Sequence, residues 1–182
     1  MGKAFAELDE TNVKWISKQH MFFVATAPTA VDGLLNLSPK GLDAFAVIDP
    51  TTVAYLDIAG SGVETIAHVK QNGRLIVMFC AFDGPPRILR LWGKGEVIER
   101  DDPRWPEMRT RFPEMPGERS IIVLHIARVQ DSCGYGVPRY AFEQDRTTLT
   151  DWAVKKGPDA VDEYIAKNNQ KSIDGLPGLP VA

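Results

Sequence analysis

Short strand-like runs separated by turns constrain the fold of this chain more than any other feature. Six or seven runs are rich in aromatic and β-branched residues, and turn signals such as Asp32-Gly33 and Asp49-Pro50 end several of them. The predicted strands span residues 21–27, 34–38, 44–48, 53–58, 74–82, 87–99 and 120–130. Helical patterns occur singly and do not alternate regularly with strands. The pattern therefore favours a mainly β protein with an antiparallel barrel over a doubly wound parallel sheet.

The predicted helices divide the chain into two units. Helical spacing covers residues 9–20, 62–71 and 102–112 in the first unit, and residues 150–156 and 158–168 in the second. An extended segment with several prolines and glycines follows at 172–182. We expect a β-barrel domain over residues 1–145, and a helical and extended tail over 146–182 that packs on the barrel or on a dimer partner.

Composition excludes several classes of function. The chain has 182 residues, 25% of them charged, and a net charge of −3, which does not suit a nucleic-acid binder. Its apolar runs are too short for a membrane span, and no apolar signal region follows Met1. Cys80 and Cys133 are too few for a disulfide framework, and no cluster with metal-ligand spacing is present in the sequence. A cytoplasmic protein without a metal site is expected.

Two segments about twenty residues apart carry a candidate binding site. Leu34–Gly41 ends a predicted strand and includes a lysine, and Gly60–Thr65 follows a predicted strand and opens a predicted helix. Free N–H groups and the positive dipole end at such a helix start suit a phosphate. Ser61 and Glu64 also fit a capping box, in which the two side chains cap the helix. Capping satisfies only two of the N–H groups, so both interpretations can hold together.

These segments resemble the pyridoxamine 5'-phosphate oxidase-like family of FMN-binding split barrels. The family's Arg-x-Val-Leu-Leu-Lys segment is matched by residues 35–40, with its lysine at Lys40 but without its arginine. The family's Asn-Pro-Arg is matched by Asn72-Gly73-Arg74, and Arg-Gln-Val-x-Val-x-Gly-Lys is matched by residues 87–94. The resemblance covers residues 21–98 and implies a six-stranded antiparallel split β-barrel with a C-terminal helical extension. Segments 131–138 and 172–179 are similar to a bacterial subgroup of these proteins.

The family's Ser-Arg-Lys, which holds the flavin phosphate, has no clean counterpart here. Glu64 and Thr65 occupy the positions of the Arg-Lys pair in this segment. Other groups must therefore hold the phosphate, and Arg74 and Arg90 are further candidates for that role. The resemblance implies cofactor contacts from the following ten residues. They are Asn36, Leu37, Ser38, Lys40, Ser61, Gly62, Thr65, Arg87, Ile88 and Leu89. Asp57 is a further candidate for the ribityl hydroxyls, whereas Tyr55 is expected in the core.

The resemblance implies a homodimer with FMN at the interface and oxidoreductase activity on an unidentified small molecule, without a nucleic-acid or membrane partner. Flavin chemistry would proceed at N5, and Lys40 and Arg87 are the candidates for the charge that stabilises the reduced ring. No catalytic residue is identified. The tail lacks the substrate-binding pattern of authentic pyridoxamine phosphate oxidases, so that activity is not expected. The alternatives are a non-enzymatic flavin, F420 or haem binder or sensor, and a dimer whose site has decayed.

The histidines are interpreted as structural residues. His125 alternates with Val123 and Ala127 on an apolar strand face, which predicts a core position rather than a catalytic base. His68 follows Glu64 by four residues on the predicted helix, and we expect it on the helix surface.

Overall fold

A computed structural model describes residues 3–180, over which the chain forms eight strands and five helices. The strands are β1 (Ala4–Phe5), β2 (Phe22–Thr26), β3 (Asn36–Lys40), β4 (Phe45–Asp49), β5 (Thr52–Ile58), β6 (Arg74–Cys80), β7 (Ile88–Glu99) and β8 (Glu118–Ser132). The helices are α1 (Glu10–Ile16), α2 (Glu64–Asn72), α3 (Trp105–Arg109), α4 (Thr148–Lys156) and α5 (Pro158–Asn168). None of these helices combines the length and apolar character needed to cross a membrane.

All the strands belong to one antiparallel sheet. Its order is β3-β2-β6-β7-β8-β5-β4, and the short β1 pairs with the edge of β8 opposite to β7. Strands β6 and β7 form a hairpin, and α3 lies in the connection from β7 to β8. Strands β3 and β4 are the two ends of this path, so within residues 3–180 β3 has an edge without a strand neighbour.

Aromatic contacts show that the sheet curls into a barrel. Phe22 on β2 lies 4.9 Å from Phe45 on β4 and 5.5 Å from Tyr55 on β5, measured between ring centroids. Along the sheet, three strands separate β2 from β5. Phe79 on β6 also contacts Phe45, at 5.0 Å. Side chains from opposite ends of the sheet can meet only if the sheet closes around them, and this aromatic cluster fills the interior.

A second apolar cluster covers the outer face of β5 and β8. Leu56 and Ile121 are fully buried there against Phe112 and Met115, which follow α3. Both faces of β5 and β8 are therefore covered, which explains why their sequences read as nearly continuous apolar runs.

Gly93 sits at a β-bulge in the long strand β7. The register of β7 against β8 shifts between Trp92 and Gly93, and a Cβ at Gly93 would collide with the carbonyl of His125. A glycine fits this position because it has no Cβ to collide at the bulge.

The C-terminal extension packs on the barrel of its own chain. Ala153 of α4 and Val161 of α5 are buried against Ala59, at the end of β5. Beyond α5, Lys70 of α2 donates to the carbonyl of Gly178 at 2.7 Å. The outer boundaries predicted for the two units, residues 1 and 182, lie outside the described residues.

The predicted mainly β class with an antiparallel barrel is confirmed, with corrections to individual elements. The seven strands predicted along the chain are all present, and the two-residue β1 is an eighth, whereas the resemblance implied six. Strand β3 begins at Asn36 and continues through Pro39, where the sequence predicted its end. Pro39 is tolerated because β3 is an edge strand, so the missing N–H need not pair with a neighbour.

Candidate functional site

A cavity of about 400 Å³ opens between β3, β5, the turn after β5 and the start of α2. Strand β3 contributes alternate side chains, the turn contributes backbone, and β8 contributes a basic side chain from below. The lining residues that carry polar side chains are Asn36, Ser38, Lys40, Asp57, Ser61, Glu64, Thr65 and Arg119. The size and polarity of this cavity suit a small ligand with several hydrogen-bonding groups.

Six of the ten predicted contact residues line this one cavity. They are Asn36, Ser38, Lys40, Ser61, Gly62 and Thr65. The strand period explains the pattern on β3: side chains 36, 38 and 40 face the cavity, whereas Leu37 points the other way and is 67% exposed. The structure thus brings together the two segments that the sequence singled out.

Hydrogen bonds connect β3 to the start of α2. Asn36 donates from Nδ2 to the Thr65 hydroxyl at 2.9 Å, and the Ser38 hydroxyl donates to Asn36 Oδ1 at 3.1 Å. These three side chains form a polar wall of the cavity, and the hydrogen bonds between them fix their rotamers. Asn36 and both hydroxyls retain further capacity to donate or accept, which a ligand can use.

Asp57 lies between the two cations of the cavity. Its Oδ1 accepts from Lys40 Nζ at 3.1 Å, and its Oδ2 accepts from Arg119 Nε at 2.6 Å. Burial acts to raise the pKa of Asp57, but the charges of Arg119 and Lys40 and their hydrogen bonds lower it to about 2. Asp57 is therefore ionised, and it holds both cations at the floor of the cavity.

Tyr55 lies directly beneath this group and is 1% exposed, as the sequence predicted for a core residue. Its hydroxyl has no hydrogen-bond partner among residues 3–180. Burial, followed by the nearby Asp57 charge, raises the pKa of Tyr55 well above its usual value. Tyr55 is therefore a neutral phenol, with Lys40 Nζ 5.6 Å from the centre of its ring.

Arg119 is the functional candidate that sequence reasoning missed. The predicted last strand began at Ser120, so the arginine immediately before it received no role. The residues considered as substitutes for the missing basic pair lie elsewhere: Arg90 donates to Ser132 at 3.0 Å, and Arg74 is exposed at the start of β6. The place of Arg119 at the start of the apolar run of β8 was visible in the sequence, but its burial was not.

The start of α2 differs from the predicted capping box. Val63 is the N-cap residue, and no side chain of the described residues caps the helix. Ser61 therefore does not act as a cap, which leaves it on the cavity wall. Glu64 instead accepts from the backbone N–H of Ile173 at 3.3 Å, and its carboxylate lies against Gly62. This helix start thus has uncapped N–H groups and a carboxylate of the same chain beside them.

Arg87, Ile88 and Leu89 lie away from the cavity within a single chain. Arg87 donates to Asp131 at 2.6 Å, and its guanidinium stacks 4.5 Å from the centre of the Trp15 ring. Leu89 is fully buried in the barrel interior. In one protomer these contacts tie α1 to β8 and to the start of β7, and a role of the three residues in cofactor binding stays a prediction.

Two histidine assignments from the sequence are wrong. His68 is 1% exposed, and its Nδ1 is 2.9 Å from the Thr26 hydroxyl, because α2 packs this face against β2. Burial lowers the pKa of His68. His125 is exposed rather than in the core, and it lies 3.2 Å from Glu96 across the strands. Within residues 3–180, no group of three or more potential ligands is placed to hold a metal ion.

Comparison with known proteins gives the family. Residues 8–133 match the family described as pyridoxamine 5'-phosphate oxidase. A relative from Aspergillus flavus, the pyridoxamine 5'-phosphate oxidase family protein ustO, is 40% identical over 194 residues, which cover 96% of this chain and 77% of the relative. The chain therefore belongs to the pyridoxamine 5'-phosphate oxidase family.

Solved structures support the same fold. A protein from Lactobacillus delbrueckii, described as a putative pyridoxamine 5'-phosphate oxidase, has a TM-score of 0.53 and 23% identity, and covers 69% of this chain and 94% of its own. HupZ from Group A Streptococcus also has a TM-score of 0.53, with 17% identity, and covers 74% of this chain and 99% of its own. These likenesses confirm the split-barrel architecture.

Proposed function

We propose that this protein binds FMN in the cavity between β3 and α2, as a homodimer, and acts as a flavin-dependent oxidoreductase on a small molecule. The observation that carries the proposal is the convergence of six predicted contact residues on one polar cavity. Membership of the family adds to it, because the sequence resemblance to FMN-binding members rests on these same segments.

The residues of the cavity suit the separate parts of a flavin nucleotide. Lys40 and Arg119 supply positive charge, and the uncapped start of α2 supplies backbone N–H groups for a phosphate. Asn36 and Ser38 supply donors and acceptors of the kind that the polar edge of the ring requires. One group opposes binding: the carboxylate of Glu64 must turn away from Gly62 before a phosphate can approach the helix start.

A bound flavin would supply hydride transfer at its N5 atom. The chain's own contribution is binding and charge. Lys40 is held at the cavity floor by Asp57, so its ammonium group is already ordered before a ligand arrives. An ordered cation of this kind stabilises negative charge on a ligand without losing side-chain entropy at the moment of binding.

The homodimer is supported by an apolar surface next to the cavity. Val31, Leu34, Leu35 and Leu37 lie before and within β3, and each is more than half exposed. Strand β3 is also an open edge of the sheet. Exposed apolar clusters at a sheet edge mark surfaces that associate, and a second copy would cover both. Arg87 and Ile88 lie away from the cavity of their own chain, so in a dimer they would contact the cofactor held by the second copy.

A cytoplasmic location is part of the proposal. Both cysteines are free, one of them exposed, which suits a reducing compartment.

Absorbance of freshly purified protein, followed by titration with FMN, FAD and F420 and by light scattering for mass, tests the proposal. We expect flavin absorbance or saturable binding of FMN to a dimer. A haem spectrum, or preference for F420, would assign the cavity to another cofactor. A colourless monomer that binds no flavin would contradict the proposal and indicate a decayed site.

A further inference from the structure

The C-terminal extension places a buried asparagine against two parts of the candidate site. Asn169 follows α5 and is 0% exposed. Its Oδ1 accepts from Arg119 Nη1 at 2.8 Å, and its Nδ2 donates to the carbonyl of Gly60 at 3.0 Å. One side chain therefore contacts both the buried cation of the cavity and the turn that leads into α2.

Asn169 completes a chain of contacts across the cavity floor. Lys40 bonds to Asp57, Asp57 bonds to Arg119, and Arg119 bonds to Asn169. Arg119 is thus held at Nε by one partner and at Nη1 by another, which fixes the plane of its guanidinium. These two contacts do not use the Nη2 group of the guanidinium. Arg119 is also one of the residues that line the cavity.

An asparagine amide suits this position for a chemical reason. A guanidinium can only donate and a carbonyl can only accept, so the residue between Arg119 and Gly60 must present an acceptor and a donor side by side. Leucine has the size but neither function, and aspartate has the acceptor but not the donor. Both amide atoms of Asn169 are satisfied, as a fully buried polar side chain requires.

The backbone around Asn169 fixes the side chain in place. Its N–H donates to Ile165 in the last turn of α5 at 2.9 Å, and its carbonyl accepts from Leu179 at 2.8 Å. Gly178 approaches the same carbonyl so closely that a Cβ there would collide with it. Helix α5 is itself packed on the barrel through Val161. The position of Asn169 is therefore set by the extension and is independent of any ligand.

We propose that Asn169 is a positioning residue for the phosphate of the flavin nucleotide. It orients Arg119 toward the cavity and holds the Gly60 turn so that the N–H groups of Ser61 and Gly62 face the same space. The extension, which lies beyond the matched residues 8–133, thereby completes the site. This proposal rests on the proposed FMN binding.

The test compares FMN with riboflavin, which lacks the phosphate. Dissociation constants for both ligands are measured by fluorescence titration for the unmodified protein, for Asn169→Ala and for Asn168→Ala. Asn168 is exposed and donates only to the backbone of Tyr164, so it is a matched control. We expect Asn169→Ala to weaken FMN binding about tenfold and riboflavin binding much less. The control should leave both affinities unchanged.

Asn169→Asp covers the case in which Asn169→Ala does not fold, because it keeps the acceptor for Arg119. It loses the donor to Gly60 and adds a negative charge that Arg119 partly compensates. It should also lower the preference for FMN over riboflavin. An unchanged preference in the folded variants would overturn the positioning role while FMN binding by the unmodified protein stands. Equal losses for both ligands would likewise overturn it, since they indicate a general structural role. Failure of the unmodified protein to bind FMN would overturn both proposals.

Discussion

Lys40 is the residue on which sequence and structure agree most closely. The sequence singled it out from its place in the family segment, and the structure places its ammonium group in the cavity, 3.1 Å from Asp57. Asp57 carries one negative charge and shares it between Lys40 and Arg119, so it does not fully neutralise Lys40. Lys40 is therefore available to an anionic ligand.

Replacing Lys40 by alanine should weaken FMN binding about tenfold or more, because a charge-assisted contact to the ligand is lost. Fluorescence titration of the variant against the unmodified protein measures the change. Lys155→Ala, which removes an exposed lysine of α4, is the control and should bind FMN normally. Equal affinity of both variants would remove Lys40 from the site.

Other residues show where sequence reasoning fails at this scale. Arg119 and His68 were misjudged because their burial depends on which elements pack against them, and a single sequence does not contain that information. Both are polar residues held in buried contacts by partners at least forty positions away, Asp57 and Thr26. Spacing within one helix or strand cannot reveal such partners.

At the scale of the element, the start of α2 is the part of the fold most directly tied to function. The helix has no side-chain cap, and its own Glu64 lies where a phosphate would approach. A carboxylate near a helix N-terminus is favourable in itself, so it stabilises the state without ligand. Binding of an anion must displace it.

Changing Glu64 to glutamine should therefore raise the affinity for FMN by several-fold. The variant keeps an acceptor for the N–H of Ile173 but removes the negative charge that opposes the phosphate. Titration at low ionic strength gives the largest effect, because salt screens the repulsion. Glu163→Gln on the exposed face of α5 controls for net charge. A weaker or unchanged affinity for the Glu64 variant would show that its carboxylate does not compete with the ligand.

Most elements could be predicted from the sequence because their apolar patterns are strong. Strands β5, β6 and β7 differ from their predicted bounds by at most a few residues. The two-residue β1 has no pattern of its own and exists only because it pairs with β8. The apparent capping box failed for a related reason: the extension engages Glu64, so tertiary contacts override the local motif.

At the scale of the whole molecule, the Asp57 cluster contributes to stability as well as to the site. It ties β3, β5 and β8 together and, through Asn169, the C-terminal extension. The pKa of Asp57 falls from an ordinary 3.8 to about 2 in the folded protein. A lowered folded pKa stabilises the protein above about pH 4, and this contribution disappears as the pH falls from about 4 to about 2.

The variant Asp57→Asn should accordingly lose about 2 kcal/mol of unfolding free energy at pH 7, with a further loss from the unpaired Arg119. Its stability should also depend less on pH between 4 and 2 than that of the unmodified protein. Urea unfolding at several pH values measures both effects. Asp32→Asn, at an exposed position in the turn before β3, should change neither. An Asp57 variant that retains the full acid dependence would show that this carboxylate is not the group responsible.

The number and order of the predicted strands were sufficient to predict the barrel. They did not predict the contacts between the barrel and the C-terminal extension. Asn169 and Gly60 are 109 positions apart in the sequence, and no motif connects them. The extension was expected to pack on the barrel or on a partner, and the choice depends on shape complementarity that composition cannot convey.

A crystal structure of the protein with FMN tests most directly whether the cavity between β3 and α2 holds the cofactor. We expect the phosphate at the start of α2, in contact with Lys40 and with the backbone of the Gly60 turn, and Glu64 turned away from Gly62. FMN bound elsewhere on the barrel, with the cavity between β3 and α2 empty, would contradict the proposed site.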